Sequence, residues 1–262
     1  MVAFPLQMPG DGVKLFGFTV GHIHMDLGYF LAGEAGRITI PVTAYLIDHP
    51  KGLALFDSGL GARYARPANT PIDGIVDLAE GETIDCRLRA IGVDPADVRW
   101  IVASHLHVDH AGGNAYFPNA TVIVQKAEYC HAFGEAEGDP VYDRADYDTG
   151  QPFLRIEGEH DLFGDGAVVV FPTPGHTPGH QSAKIRIEGA EVVLAGDCCS
   201  LRRSLEDLRL PEHCHDAGLF LSSLRRLAQM KRCGALVIPS HDPEVWAKVP
   251  KGVPILPGAL VS

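Results

Sequence analysis

Three histidines and one aspartate lie within six consecutive residues of this 262-residue chain, the densest group of potential metal ligands in the sequence. The segment follows an apolar run and reads His105-Leu106-His107-Val108-Asp109-His110. His105 and His107 are two residues apart, so in an extended segment their side chains point to the same side. Asp109 and His110 come at the following turn and can face a second position. The pattern predicts a metal site at the end of a buried strand.

Gly112 and Gly113 come shortly after this segment. Because glycine has no Cβ, the pair predicts a backbone that bends closely around the metal site. The alternative is a surface loop in which neighbouring histidines carry no function. The buried strand directly before the segment favours the metal site, since surface histidines do not usually follow such a strand at this density.

Two other histidine pairs are weaker candidates. The segment 22–26 reads His-Ile-His-Met-Asp, but Leu27 stands where a last histidine would be. We expect it to line the mouth of a pocket rather than to bind metal. His213 and His215 flank Cys214 just before a predicted helix, and a helix-entry turn accounts for them without a further metal site.

Short Val- and Ile-rich runs between Gly, Pro and Asp predict strands, and apolar residues at helical spacing predict helices. The predicted strands are Val13–Val20, Ile40–Asp48, Leu53–Asp57, Arg99–Ser104, Thr121–Gln125, Ala167–Phe171, Ser182–Glu188, Glu191–Ala195 and Ala235–Pro239. The predicted helices are Asp85–Ile91, Lys126–Phe133 and Asp216–Arg232. This order favours sheets with helices outside them, an α/β layered sandwich. We expect a single domain over residues 1–262.

Two long polar segments, Arg63–Thr83 and Gly134–Pro152, show no clear periodicity. Loops of this length in a compact domain are often lids or binding loops. The second segment contains Tyr142 and Tyr147, which would suit the wall of a small-molecule pocket. A solvated loop whose aromatic side chains pack downwards is the alternative.

The charge balance is acidic, with 22 Lys and Arg against 33 Asp and Glu and a net charge of −11. Such a field repels phosphate, so nucleic acid is not expected as a partner. No run approaches the ~18 to 20 apolar residues of a membrane helix, so no membrane partner is expected. The six cysteines show no pairing rhythm and the first residues show no signal pattern. These features predict reduced thiols and a cytoplasmic protein, with a homodimer left open.

The histidine segment resembles the His-x-His-x-Asp-His hallmark of the metallo-β-lactamase superfamily, and other segments resemble further parts of that family in order. These segments are Asp57-Ser58-Gly59, Thr173-Pro174-Gly175-His176-Thr177-Pro178-Gly179-His180, Gly196-Asp197 and Ser240-His241-Asp242. The resemblance covers residues 40–242, nearly the whole chain. It implies an α/β fold of the αββα sandwich type.

The resemblance also implies two divalent metal ions, most simply Zn²⁺, although Fe, Mn or Co would fit the same donors. The implied ligands are His105, His107 and His180 for one ion, Asp109, His110 and His241 for the other, and Asp197 between them. His176, four residues before His180, is expected to orient a ligand or the loop. A hydroxide held between the ions would act as nucleophile, and Asp109 would protonate the departing alkoxide.

Within the superfamily, the segments 104–114, 123–129 and 179–182 are most similar to the N-acyl-homoserine lactone hydrolases. This similarity implies an enzyme that opens the lactone ring of a quorum-sensing signal, a small-molecule substrate. Three alternatives stay open. They are a lactonase for an aromatic or bicyclic ring, a mononuclear-iron sulfur dioxygenase, and a metal-binding protein without turnover.

One position departs from the lactonase pattern. Lactonases of this group often have a tyrosine three residues after the bridging aspartate, where its hydroxyl can contact the substrate carbonyl, whereas this chain has Ser200. The side chain of Ser200 is too short to take that place directly. Tyr142 and Tyr147 are the candidates to supply a hydroxyl to the substrate, with Ser200 as a further possible contact.

Overall fold

Two mixed β-sheets lie face to face in the computed structural model, which describes residues 12–65, 74–136 and 138–260. In spatial order the first sheet contains Ile75–Asp77 (β4), Lys14–Asp26 (β1), Arg37–His49 (β2), Gly52–Phe56 (β3), Val98–Val102 (β5), Thr121–Gln125 (β6) and Phe153–Ile156 (β7). The second contains Leu236–Ile238 (β12), Ala190–Leu194 (β11), Gln181–Ile187 (β10), Val168–Pro172 (β9) and His160–Asp161 (β8).

Alternation along the strands divides the apolar side chains between two layers of core. In β2, Ile47 packs between the sheets together with Ile185 of β10, whereas its neighbour Leu46 packs on the outer side of the first sheet with Leu88. A third core lies outside the second sheet and includes Leu224. The order of layers is therefore helix, sheet, sheet, helix, and the predicted αββα sandwich is confirmed.

The α-helices are short apart from one. They are Ile84–Ala90 (α1), Val108–Ala111 (α2), Lys126–Cys130 (α3), Arg144–Tyr147 (α4), Arg202–Asp207 (α5), Ala217–Arg232 (α6) and Pro243–Lys248 (α7). The long helix α6 begins at its predicted cap, where the Asp216 carboxylate accepts a hydrogen bond from the backbone N–H of Leu219 at 2.8 Å. None of the helices in the described part of the chain is long and apolar enough to cross a membrane.

The two long polar segments are not plain loops. The first contains β4 and the second contains α4. Residues 66–73, also within the first segment, lie outside the described residues. The predicted helix Lys126–Phe133 ends as α3 at Cys130 and continues into a π-helical turn over His131–Glu135.

Parallel pairing brings several strand ends to one edge of the sandwich. In the first sheet, β3, β5 and β6 run parallel to one another. In the second sheet, β11 and β12 are also parallel. Polar side chains gather beyond the carboxyl ends of these strands, the position at which open α/β sheets usually bind ligands.

Candidate metal centre

The loop after β5 carries the dense histidine segment. One buried carboxylate, that of Asp57, holds this loop in place. Asp57, at the end of β3, accepts hydrogen bonds from the backbone N–H of Ser104 at 2.6 Å and from the Ser104 hydroxyl at 2.9 Å. It also lies 2.9 Å from Nδ1 of His110. Since that contact occupies Nδ1, Nε2 of His110 is left to face the site.

Gly112 and Gly113 allow this loop to pass very close to the segment after β3. A Cβ on Gly113 would lie 2.4 Å from the carbonyl oxygen of Ser58, and one on Gly112 would lie 2.6 Å from the backbone nitrogen of Gly61. Both distances are shorter than real Cβ contacts. The glycine pair therefore permits a close backbone approach to the segment after β3, whereas the predicted bend around a metal stays a prediction.

One group of three imidazoles is formed by His105, His107 and His176, whose candidate ligand atoms all lie within 4.8 Å of one another. Nε2 of His176 is 3.2 Å from Nδ1 of His107. The loop between β9 and β10 carries His176 across the sheet edge to this position. His105 is anchored from behind by a 3.0 Å contact between its Nδ1 and the Ser104 hydroxyl.

His180 does not join this group, which differs from the ligand set implied by the sequence. Its Nδ1 lies 2.9 Å from the Thr173 hydroxyl and 3.1 Å from the Thr173 carbonyl oxygen. Its Nε2 accepts a hydrogen bond from the backbone N–H of Asp197 at 2.9 Å. Because both ring nitrogens contact protein atoms, His180 supports Asp197 while His176 faces the other imidazoles. His176 therefore occupies the position expected for His180, beside the other imidazoles, and His180 has the supporting contacts expected for His176.

A second group contains Asp109, His110 and His241, again with candidate ligand atoms within 4.8 Å. One Asp109 oxygen is 3.5 Å from Nε2 of His110 and 3.6 Å from Nε2 of His241. Nδ1 of His241 contacts the carbonyl oxygen of Pro41 at 2.9 Å, which turns Nε2 towards the group. These three residues are brought together as the sequence predicts.

Asp197 lies between the two groups. Its Oδ1 is 3.0 Å from Nε2 of His241 and 3.4 Å from Nε2 of His110. Its Oδ2 is 3.5 Å from Nε2 of His176, and Ser240 donates a hydrogen bond to Oδ1 at 2.7 Å. Although burial opposes ionisation, the imidazoles of His241 and His110 hold the pKa of Asp197 well below its usual range. The carboxylate is thus placed to bridge two cations.

The chemistry of this donor set fits divalent metal. Nε2 of His105 and Nε2 of His110 are buried and have no hydrogen-bond partner among the described residues, an arrangement that proteins normally avoid. Burial and the neighbouring imidazoles lower the pKa of His105 well below its usual value, which keeps it neutral and able to bind metal. Imidazole nitrogen with a few carboxylate oxygens suits Zn²⁺ and related ions.

Glu128, which the sequence analysis did not single out, joins the loop after β5 to the loop between β9 and β10. This fully buried carboxylate accepts hydrogen bonds from the backbone N–H of Leu106 at 3.0 Å and that of Gly179 at 3.2 Å. The hydroxyls of Thr177 and Tyr142 also donate to it, at 2.6 and 2.8 Å. Burial raises the pKa of Glu128. The sequence could have pointed to Glu128 through its position three residues after the predicted strand Thr121–Gln125, at the same sheet edge.

A narrow cavity opens over the second group. Its lining is formed by Ile23, Met25, Tyr29, Phe30, Ile40, His107, Asp109, Val141, Asp197 and His241. We call the apolar members Ile23, Met25, Phe30, Ile40 and Val141 the cavity wall. The wall includes the odd-numbered residues of the segment 22–26, whereas Nδ1 of His24 contacts the Thr39 hydroxyl at 2.7 Å. Strand alternation therefore presents the apolar side chains of this segment to the cavity.

The three residues predicted to contact substrate do not line this cavity, although the ring of Tyr142 packs edge-on against that of His107, with centroids 4.6 Å apart. The Tyr142 hydroxyl is engaged by Glu128, and the buried Tyr147 hydroxyl donates to the carbonyl oxygen of Ala132 at 2.8 Å. Ser200 is joined to the site through its backbone, whose carbonyl accepts a hydrogen bond from the N–H of His241 at 2.9 Å. Tyr142 and Tyr147 both line another cleft, formed by their own loop and the π-helical turn, so their contact with substrate stays a prediction.

The fold and the two ligand groups define a metallohydrolase scaffold, and sequence comparison identifies its family. Residues 37–241 match the metallo-beta-lactamase superfamily. The chain belongs to this superfamily.

Similarity extends to named relatives. The chain is 34% identical over 236 residues to the N-acyl homoserine lactonase AttM of Azorhizobium caulinodans, covering 84% of this chain and 88% of that protein. It is 32% identical over 215 residues to an N-acyl homoserine lactonase of Bacillus thuringiensis, covering 79% and 83%. A solved N-acyl homoserine lactone hydrolase, with the product N-hexanoyl-L-homoserine bound at its catalytic metal centre, superposes with a TM-score of 0.83. It shares 28% identity, over 94% of this chain and 100% of that one.

Proposed function

We propose that this protein hydrolyses N-acyl-homoserine lactones, opening the lactone ring to give the N-acyl homoserine. The observation that carries the proposal is the pair of ligand groups that share Asp197 beneath a cavity with an apolar wall. The named lactonases that resemble the chain over most of its length support this substrate over an aromatic or bicyclic lactone. They also favour hydrolysis over sulfur oxidation.

The ligand assignment follows the contacts of the individual nitrogens and differs from the sequence expectation at one residue. The assigned ligands are His105, His107 and His176 for one ion, Asp109, His110 and His241 for the other, and Asp197 for both. His180 instead holds the backbone of Asp197. Zn²⁺ is the proposed metal, because neutral imidazoles and a few carboxylates are its usual donors.

Two bound divalent ions would supply a water of lowered pKa and polarise the ester carbonyl. The chain itself supplies the proton movement and the orientation. Asp109 faces both the second ligand group and the cavity, so its carboxyl is placed to pass a proton to the leaving alkoxide. The cavity wall would bury the acyl chain and exclude water from the reacting ester.

A lactone panel tests this function. Purified protein of known metal content is mixed with N-acyl-homoserine lactones, an aromatic lactone and a bicyclic lactone, and proton release is followed with an indicator dye. We expect ring opening of the homoserine lactones, with the hydroxy acid confirmed by mass, and loss of activity after chelation. Hydrolysis of the other lactones alone would contradict the substrate. One iron per chain with sulfur-dependent oxygen uptake would contradict the reaction class.

The last part of the proposal concerns the location, the partners and the oligomeric state of the protein. The free cysteines of the described residues and the acidic charge support a cytoplasmic protein that meets a small molecule rather than nucleic acid. Sedimentation of the purified protein would decide between a monomer and the homodimer that the sequence left open.

A further inference from the structure

Tyr29 lies beside the second ligand group, at the end of a short 3₁₀ turn over Leu27–Tyr29 that follows β1. Its ring packs edge-on against Phe30, with ring centroids 5.4 Å apart. Phe30 in turn lies 6.0 Å from the ring of His241. The turn therefore places a phenol at the side of the cavity where His241 and Asp109 meet.

The hydroxyl of Tyr29 has no hydrogen-bond partner among the residues that the structure describes, although its side chain is only partly exposed. The other polar side chains that line the cavity belong to proposed metal ligands, and the rest of the lining is the apolar cavity wall. An ordinary phenol is protonated at neutral pH, so the Tyr29 hydroxyl is a hydrogen-bond donor that the ligand set does not use.

Other tyrosines near the site do not offer such a donor. The Tyr142 hydroxyl donates to Glu128, and the Tyr147 hydroxyl donates to a backbone carbonyl. Both phenols would have to break a buried hydrogen bond before they could serve a substrate, which costs free energy on the scale of ~1 to 3 kcal/mol. Tyr29 carries no such cost.

We propose that Tyr29 is a catalytic residue that donates a hydrogen bond to the carbonyl oxygen of the bound lactone. This role rests on the proposed function. When the water oxygen bonds to the carbonyl carbon, the π electron pair moves onto the carbonyl oxygen, and the Tyr29 hydroxyl stabilises the developing negative charge. The water passes a proton to the Asp109 carboxylate, and when the electron pair returns, the ring carbon–oxygen bond breaks and the leaving alkoxide takes that proton from Asp109. Tyr29 keeps its own proton throughout.

The substitution Tyr29→Phe tests this role, because it keeps the ring and removes only the hydroxyl. Loss of one well-placed donor to an oxyanion lowers kcat by about 10²-fold. We expect a decrease of this order on an N-acyl-homoserine lactone, with a much smaller change in KM. Tyr129→Phe is the matched control, since Tyr129 is also partly buried but lines a separate surface cleft with Phe133. It should retain wild-type kcat.

A binding measurement separates this role from a structural one. The ring-opened product carries a carboxylate that can accept the same hydrogen bond, so calorimetry should show product affinity at least about tenfold weaker for Tyr29→Phe. Metal content should stay at the wild-type value. Wild-type kcat and product affinity in Tyr29→Phe would overturn the proposal, and so would loss of bound metal from that variant. If the wild-type protein opened no homoserine lactone, the proposed function itself would fail.

Discussion

The two sides of the active-site cavity are built in different ways. In the ligand cradle, meaning the seven side chains assigned to metal, several members are oriented by directed hydrogen bonds. Ser104 holds His105, Asp57 holds His110 and the Pro41 carbonyl holds His241, each through the nitrogen that faces away from the site. The cavity wall has no such bonds and consists of apolar side chains in contact with one another.

This difference distinguishes the part of the site that the reaction requires from the part that can vary with the substrate. A metal ligand must present one lone pair in one direction, and a hydrogen bond on the opposite ring nitrogen secures that orientation. Apolar contacts have no preferred direction, so the wall can accommodate acyl chains of different shape. Changes in the cradle should therefore affect metal binding and kcat, whereas changes at the wall should affect the preferred acyl chain.

The largest effect is expected within the cradle, from the two histidines of the loop between β9 and β10. His176→Ala should reduce bound metal from about two ions to about one per chain and abolish turnover, because it removes a ligand. His180→Ala should keep both ions with an affinity lowered by ~10- to 100-fold. Metal analysis after dialysis against a graded chelator measures both. The reverse result, with metal lost from His180→Ala alone, would restore the original sequence assignment.

The next largest effect is expected from the substitution Asp109→Asn. The amide cannot pass a proton to the alkoxide, and general acid catalysis contributes ~10²- to 10⁴-fold. We expect kcat to fall by that amount in protein reloaded with metal to the wild-type content. Full turnover at equal metal content would remove Asp109 from the proton transfer and leave it a ligand only.

Glu128→Gln tests whether the carboxylate that joins the two ligand loops stabilises the cradle. The amide loses two acceptor positions and introduces donors among the N–H and O–H groups that now face Glu128. Metal affinity should fall by ~10- to 100-fold, as is typical for groups that orient ligands. Glu157→Gln is the control, because that exposed residue pairs with Lys126 at the surface. Equal metal affinity in the two variants would show that the loops hold their positions without Glu128.

The smallest effect is expected at Ser200. Its side chain does not line the cavity, and its contact with His241 is made by the backbone, which Ser200→Ala preserves. We expect kcat to fall by less than about tenfold, well below the loss of a true oxyanion donor. Steady-state assays of Ser200→Ala and Tyr29→Phe under the same conditions compare their kcat values. A larger loss in Ser200→Ala than in Tyr29→Phe would assign the hydroxyl contact to the serine.

Much of the fold is readable from local patterns, and the omissions have a common cause. Each of the predicted strands overlaps an observed one, and Thr121–Gln125 has the same bounds in both. The strands that escaped prediction, β4, β7 and β8, lie at sheet edges in the described structure. These three edge strands span two to four residues and are partly exposed, so they carry no long apolar run. The missed helices span four to six residues, too few to show a helical period.

The sequence by itself indicated a candidate metal site, since His105, His107, Asp109 and His110 lie within one short segment. Only the tertiary structure placed His176, rather than His180, beside His105 and His107, because that position depends on where the loop between β9 and β10 crosses the sheet edge. It also placed Tyr29 over the site and directed Tyr142 to Glu128. Such contacts join segments far apart in the chain, and no local pattern records which of their atoms meet.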